Sequence, residues 1–466
     1  MDTLTFETGD PITLTLDQEN FAEGKGNQTG STFAKAMLTA NNKTNTATEH
    51  YYVYLNITGN TFTYTQNENT PEILLTIKET NNNEITSITG LTYKTVTDGN
   101  GTTLKGFDIT NQKGLITIFD NREITTTSSI TEEWNVTVTY VNYNADQSAN
   151  AGKSFSAKLI IQKDKYKLTL TNFVMAQYTG TQGENNIYYH DSSLENGARD
   201  NSYRYAGPSD SVNNFVCFGS ITSPCPTDNL YRIIGVFDDI VKIIKYDYMT
   251  TDELGTNGNY TINLSDSGSY IDKYKGATES SVLGLYFWNV TTKTNNWNES
   301  NLNKINLNTN FINYLGEEWT NKIATTTWKV GGNSSAKIIE VVPSVAYQNE
   351  IVNPNELTTY ETKIGLMYVS DYVYAASPDA WASKVNLYSG ENIIGNNWMY
   401  MGLSEWTISP NTTNTITAFI LTRDGDVSFC SIDNYNYSLV RAVLNLESSV
   451  AYVSGSGTQS DPIIIN

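Results

Sequence analysis

Strict alternation along several short runs most narrows what this chain can become. Trp134-Asn135-Val136-Thr137-Val138-Thr139-Tyr140 places an apolar or aromatic residue at every second position. In an extended chain successive side chains point to opposite faces, so one face meets a core and the other meets water. Comparable runs are Thr13-Leu14-Thr15-Leu16, Tyr51-Tyr52-Val53-Tyr54-Leu55, Ile73-Leu74-Leu75-Thr76-Ile77, Ile116-Thr117-Ile118-Phe119 and Ser156-Ala157-Lys158-Leu159-Ile160-Ile161. Turn clusters such as Asn81-Asn82-Asn83 and Asp98-Gly99-Asn100-Gly101 separate them. This pattern predicts a mainly β protein whose first part, residues 1–166, is a β-sandwich or jelly roll. One short helix is expected at Thr32-Phe33-Ala34-Lys35-Ala36-Met37-Leu38. Composition agrees: charged residues are 17% against about 25% in an average chain, and Thr, Asn, Ser and Tyr fill the deficit. A coiled coil, a Lys/Glu-rich disordered chain and a collagen are excluded.

The run Lys163-Asp164-Lys165-Tyr166-Lys167 marks the expected domain boundary. Residues 167–466 read as α+β, with short helices against antiparallel strands. Seven of the eight Trp fall here. Asn229 to Phe237 and Val241 to Tyr246 flank Asp238-Asp239-Ile240, a hairpin signature. Phe311, Tyr314, Leu315 and Trp319 share one face of an expected amphipathic helix. Ser377-Pro378-Asp379-Ala380-Trp381 reads as a helix start, with a cap residue, a Pro at the first position and an acid in the first turn.

The net charge is −20 and the pI about 4.5. Such a chain repels phosphate backbones and anionic membranes, so nucleic acid is not an expected partner. No run of 18 apolar residues occurs, so no transmembrane segment is expected. Met1 precedes the polar Asp2-Thr3-Leu4-Thr5-Phe6, which reads as a start codon before a mature chain whose secretion signal has been trimmed. Cys217 and Cys225 bracket a short loop, and a disulfide there is favoured over free thiols. It would contribute about 2–3 kcal/mol by loop entropy. Cys430 is left over and reads as a small hydrophobe. His50 and His190 with scattered Cys cannot form a standard zinc site, so no metal and no cofactor are expected.

Catalytic patterns are weak. A Ser-His-Asp triad would need His50 or His190, and His190-Asp191-Ser192 are adjacent residues that cannot converge. Asp238-Asp239, Glu317-Glu318 and Glu132-Glu133 diverge for the same reason. Asp98-Gly99-Asn100-Gly101 and Asp424-Gly425-Asp426 read as turns rather than calcium loops. No phosphate-binding glycine loop occurs. Asn-x-Ser/Thr triplets, as at Asn56, Asn135, Asn263 and Asn411, are the chance product of an Asn- and Thr-rich chain. An isopeptide cross-link between Lys158 and Asn56 is weighed against an ordinary snorkelling lysine. The chain is expected not to be an enzyme, with a carbohydrate-active enzyme kept as an alternative, since separated acids can still converge.

Tyr189-His190-Asp191-Ser192-Ser193-Leu194, Asn201 to Gly207, Val216-Cys217-Phe218-Gly219-Ser220 and Asn229 to Gly235 resemble segments of a group of surface proteins of gut bacteria. So do Lys363 to Tyr372, Asn397-Trp398-Met399-Tyr400, and Val440 to Leu446 followed by Ser454 to Pro462. The resemblance covers about 187–466 and implies a C-type-lectin-like fold that displays a ligand-binding surface. Where that family has Pro after the arginine of its closing strand, Ala442 stands here. The calcium-type sugar patterns Glu-Pro-Asn and Trp-Asn-Asp do not occur. Residues 1–166 are similar to the camelysin/TasA group of secreted fibre proteins. That similarity rests on Trp134 to Val138, Asp146 to Phe155 and Leu4-Thr5-Phe6-Glu7-Thr8-Gly9. It implies a jelly roll and assembly by donating an N-terminal strand that carries Thr5, Phe6, Leu14 and Leu16.

Aromatics crowd the late part of the chain: Trp381, Tyr388, Trp398, Tyr400, Trp406, Tyr435 and Tyr437. Trp398 and Trp406 read as core. Trp381, Tyr388, Tyr400, Asn434, Tyr435, Asn436 and Tyr437 are the candidate ligand-binding residues, because aromatics beside Asn suit sugar stacking or a protein-binding patch. The expectation is a secreted or cell-surface, adhesin-like bacterial protein. Its 1–166 part is a stalk or assembly domain and its 167–466 part a lectin-like ligand-binding domain. Its partner would be an extracellular glycan or a host or bacterial surface protein. The alternative is a fibre or pilus subunit whose partner is itself, head to tail.

Overall fold

The computed structural model describes residues 2–16, 26–41, 45–268, 270–434 and 439–466. The protein is mainly β, with 37% strand and 17% helix. It divides into two compact units, Met1–Tyr166 and Lys167–Asn466.

The first unit contains β1 (Thr3–Thr8), β2 (Ile12–Thr15), β3 (Gln28–Thr39), β4 (Ala47–Asn60), β5 (Ile73–Glu79), β6 (Tyr93–Thr97), β7 (Thr103–Asp108), β8 (Gly114–Thr126), β9 (Ser129–Tyr140) and β10 (Ser154–Gln162). They form two antiparallel sheets, ordered β1-β3-β9-β5-β7-β6 and β2-β10-β4-β8. One apolar core draws on both, including Leu14, Leu38, Val53, Leu75, Val136 and Leu159. The alternation of the sequence is the burial pattern of the strands: in β9, Trp134, Val136, Val138 and Tyr140 are buried. Trp134 also ties the sheets together. Its Nε1 donates to the Tyr51 hydroxyl of β4 at 3.0 Å, and that hydroxyl donates to Glu132 of β9. Arg122 holds the same carboxylate through Nε and Nη2 at 3.3 and 2.9 Å.

Two readings of this half are corrected. Thr32 to Leu38 is no helix but the middle of β3. Thr32, Ala34, Ala36 and Leu38 are buried while Phe33, Lys35 and Met37 are half-exposed, a period of two. Lys158 is exposed on β10 opposite Asn56, so a buried isopeptide triad does not form there. The stretch 146–155 has a physical role that its sequence does not announce. Gln147 and Asn150 donate to the fully buried Glu72 carboxylate at 2.6 and 3.3 Å, and Thr65 N donates at 2.9 Å.

The second unit is built on β11 (Ile187–Tyr189), β12 (Tyr203–Tyr205), β13 (Phe215–Cys217), β14 (Leu230–Phe237), β15 (Ile240–Lys245), β16 (Tyr260–Asn263), β17 (Gly284–Tyr286), β18 (Thr326–Lys329), β19 (Thr359–Thr362), β20 (Ile364–Gly365), β21 (Glu405–Pro410), β22 (Thr417–Leu421), β23 (Val427–Ser431), β24 (Val443–Asn445), β25 (Tyr452–Ser454) and β26 (Ile463–Ile465). Its main sheet runs β20-β24-β15-β14-β13-β26-β25, with β12 on β14 and β11 on β12. The pairs β16-β17 and β18-β19 and the three-stranded β21-β22-β23 lie outside it. The β14-β15 hairpin turns through Asp238 and Asp239, at φ +47° and +63°. Both are left-handed, as the twist-matched two-residue turn requires, and Asp tolerates that region. Cys217 and Cys225 form a disulfide.

Helices here are short. The predicted helix through Phe311 and Trp319 is a π-helical turn, Leu302–Phe311, running into Ile312–Thr320 with a break at Gly316, φ +76°. Ser377-Pro378 opens a single 3-10 turn, Pro378–Ala382. All eight tryptophans of the chain are buried. Among the described residues no helix is long and apolar enough to cross a membrane.

Candidate functional site

A chain with few charges places several of them inside one hollow of the second unit. The hollow holds about 270 Å³ and lies between β12, the β14-β15 hairpin, β18 and the helix Val369–Tyr374. β12 delivers Arg204, which pairs in register with Gly235 of β14. A Cβ on Gly235 would stand 2.1 Å from the Tyr203 carbonyl oxygen, so only glycine lets the two strands approach this closely. The hairpin delivers Phe237, Asp238 and Lys242. The helix delivers Asp371, whose Oδ2 accepts the Tyr368 N–H at 3.1 Å. The buried Glu350 accepts the next two amides, Val369 N at 2.9 Å and Ser370 N at 2.8 Å, so two carboxylates fix the helix start.

Three cations line the hollow: Arg204 and Lys242 are ion-paired, and Lys329 Nζ donates to the Ile351 carbonyl at 2.8 Å. Arg204 Nη2 donates to Asp200, and Arg204 Nε donates to Ser202 Oγ at 2.8 Å. Lys242 Nζ donates to both Asp371 oxygens, at 3.1 and 3.2 Å. Both also face Phe237, with the guanidinium 4.7 Å and the ammonium 4.4 Å from the ring centroid. Arg204 lies 5.0 Å from the Tyr347 ring and Lys242 5.1 Å from the Tyr368 ring. Burial alone would raise the Asp200 carboxyl. The Arg204 charge and the hydrogen bonds from Ser202 and Tyr347 outweigh it and hold the group well below the usual carboxylate range. Burial raises Glu350, and the bonds from Ser409, Ser370 and Val369 offset only part of that. Breaking either buried pair by removing one partner would cost about 3–5 kcal/mol. Thr327 and Asp238 stand exposed at the rim, and Asn445 Nδ2 donates to Thr326 Oγ1 at 2.8 Å. The result is a small hollow with aromatic walls, fixed hydrogen-bond directions and two buried ion pairs. It is shaped for a small polar group. Among the described residues no group of three or more His, Cys, Asp or Glu is arranged to hold a metal ion.

The late aromatics are elsewhere. Trp381, Tyr388 and Tyr400 are no ligand-facing surface: they are 1%, 1% and 3% exposed, because each satisfies its polar atom on a nearby backbone carbonyl. Trp381 Nε1 donates to Ala376 O at 3.0 Å, Tyr388 to Ala380 O at 3.0 Å, and Tyr400 to Arg423 O. Trp398 and Trp406 are core as read. Asn434 is half-buried. Tyr435, Asn436 and Tyr437 lie outside the described residues. Of the proposed assembly residues, Thr5 is exposed and Phe6 half-buried on β1, while Leu14 and Leu16 are buried in their own unit's core.

Asp200, Arg204, Lys242, Asp371 and Phe237 escaped the sequence reading. A signal existed. Lys242 interrupts the apolar run Val241-Lys242-Ile243-Ile244, and Arg204 sits between two tyrosines, in a chain otherwise poor in charge. A charge within a core strand is retained only with a partner. Asp371 gave no such signal, because only the fold brings it to Lys242. No family model matches the chain, and no curated protein matches it.

Proposed function

We propose that the chain is a non-enzymatic, adhesin-like recognition protein secreted or displayed by a bacterium, with its ligand seated in the hollow of the second unit. In this reading residues 1–166 are a jelly-roll-like sandwich that serves as a stalk, and residues 167–466 are a C-type-lectin-like domain. The observation that carries the reading is the hollow itself: paired buried charges beside aromatic faces, opening at Thr327 and Asp238. Buried ion pairs are weak evidence for stability, whereas charged groups held in a cleft are a mark of ligand sites. The partner is an extracellular glycan or a surface protein. Thr327→Trp would fill the mouth from an exposed strand position. Screened on a glycan array and a panel of extracellular proteins, the wild-type chain is expected to give a ligand. Thr327→Trp is expected to lose it at least tenfold with an unchanged melting temperature. Equal binding by the variant would remove the ligand from this hollow.

A second reading is a fibre subunit. What favours it is the place of β1 and β2, each the terminal strand of its sheet and, among the described residues, paired on one side only. A terminal strand is the element that a neighbouring copy can exchange. Filaments formed by the purified chain in negative stain would support it, and a lasting monomer would not.

A further inference from the structure

The hollow does not end at Asp200 and Asp238. The same two residues also line a second hollow of about 330 Å³, together with Tyr189, Asn201, Tyr203 and Asp239. Tyr189 and Tyr203 stack there, with ring centroids 4.6 Å apart and planes 26° apart, and both are half-buried. At about 270 and 330 Å³, each hollow alone lies near the lower bound of roughly 300–1,000 Å³ for small-ligand sites. Two adjoining hollows with shared walls suit a ligand made of repeating units.

We infer that the site is bipartite and takes a neutral oligosaccharide: one sugar sits among the ion pairs of the first hollow, and the next lies against the Tyr189–Tyr203 stack. The inference rests on reading the first hollow as the ligand seat. The chemistry argues for a neutral polyol. Arg204 and Lys242 are already neutralised by Asp200 and Asp371, and Lys329 Nζ is held on the Ile351 carbonyl at 2.8 Å, so an anionic ligand would have to displace one of these partners and would also meet the exposed Asp238 carboxylate. Hydroxyl groups can accept from and donate to such pairs without breaking them. In the second hollow the Asp238 and Asp239 carboxylates and the Asn201 amide stand in one lining with the stacked Tyr189 and Tyr203, a set that takes sugar hydroxyls and C–H groups together. The same two carboxylates would repel a uronic acid.

The test uses the full chain and an array of mono- to hexasaccharides of neutral, amino and uronic sugars, with calorimetry on the neutral hits. Tyr189→Ala is a safe variant because its backbone is clamped independently: Gln182 Nε2 donates to Tyr189 O at 2.9 Å and Gln182 Oε1 accepts Tyr189 N at 3.0 Å. Asp239→Asn keeps a residue that tolerates the left-handed turn. A neutral trisaccharide is expected to bind about tenfold more tightly than its monosaccharide. Both variants should bring the trisaccharide down to the monosaccharide level while Thr327→Trp abolishes both. A trisaccharide no tighter than its monosaccharide, a gain that survives both variants, or a preference for uronic chains would overturn the bipartite assignment and leave the first hollow standing. Failure of every saccharide to bind, or indifference to Thr327→Trp, would instead overturn the reading of the first hollow as a glycan seat.

Discussion

At His190 the imidazole Nδ1 accepts the Ala198 N–H at 3.0 Å, which puts the ring proton on Nε2. That nitrogen has no hydrogen-bond partner among the described residues, and the ring stands edge-on to Tyr374 with centroids 4.9 Å apart. Burial drives its pKa well below the usual 6.5, the Arg204 charge lowers it further, and Asp200 opposes them only in part. The sign follows directly. Above about pH 6.5 both folded and unfolded histidine are neutral, and the group adds no pH dependence. Below it the unfolded chain takes up a proton that the folded one refuses, so stability falls by about 1.4 kcal/mol per pH unit. Between about pH 6.5 and 5, before most carboxylates titrate, His190→Asn is expected to flatten the urea-unfolding slope against pH. An identical slope in the variant would show that the ring is protonated in the fold. The same burial explains why the late aromatics misled. A Tyr or Trp has an apolar body and one polar atom, so its sequence neighbours do not tell a stacking platform from a core residue whose polar atom meets a carbonyl.

Among elements, β3 shows where local propensity fails. Ala34, Lys35, Ala36, Met37 and Leu38 all favour a helix, yet pairing with β9 along all twelve residues and with β1 on the other side makes them a strand. The Asp238-Asp239 hairpin was legible because its signal is local: two turn-compatible residues between two apolar runs. The site was not, since it needs β12, β14, β18 and a helix start to meet. Gly235 is the single residue on which the β12-β14 approach depends. Gly235→Ala would drive a methyl group into the Tyr203 carbonyl, where relief means moving backbone rather than a side chain. Overpacking of this kind costs about 1–3 kcal/mol, and the upper end is expected here. Urea unfolding should show that loss together with weaker ligand binding, because Arg204 is displaced with its strand. A stability loss with unchanged binding would detach the ligand from Arg204.

For the molecule as a whole, the decisive question is whether copies stay apart. The alternation made the mainly β character readable. It could not say whether the first strands serve their own sheet or a neighbour's, because the pairing chemistry is the same in both cases. In the structure they serve their own. β1 pairs with β3 from Thr3↔Thr39 to Thr8↔Ala34, and Ile12, Leu14 and Leu16 are buried. Donation to a neighbour must first withdraw these strands, exposing apolar side chains at about 1.5–3 kcal/mol each before anything is regained. Exchange then restores equivalent contacts, so its equilibrium depends on concentration and on repulsion between bodies of net charge −20. That repulsion reaches about 30 Å at 10 mM salt and about 8 Å at 150 mM. The chain is therefore expected to scatter light as a single species of 51.8 kDa at micromolar concentration, in low and in physiological salt. Filaments that form without any unfolding step would overturn this and make β1, with Thr5 and Phe6, and β2, with Leu14 and the following Leu16, the functional elements. Filaments that form only at high salt would mean that charge, and not the withdrawal of seated strands, holds copies apart.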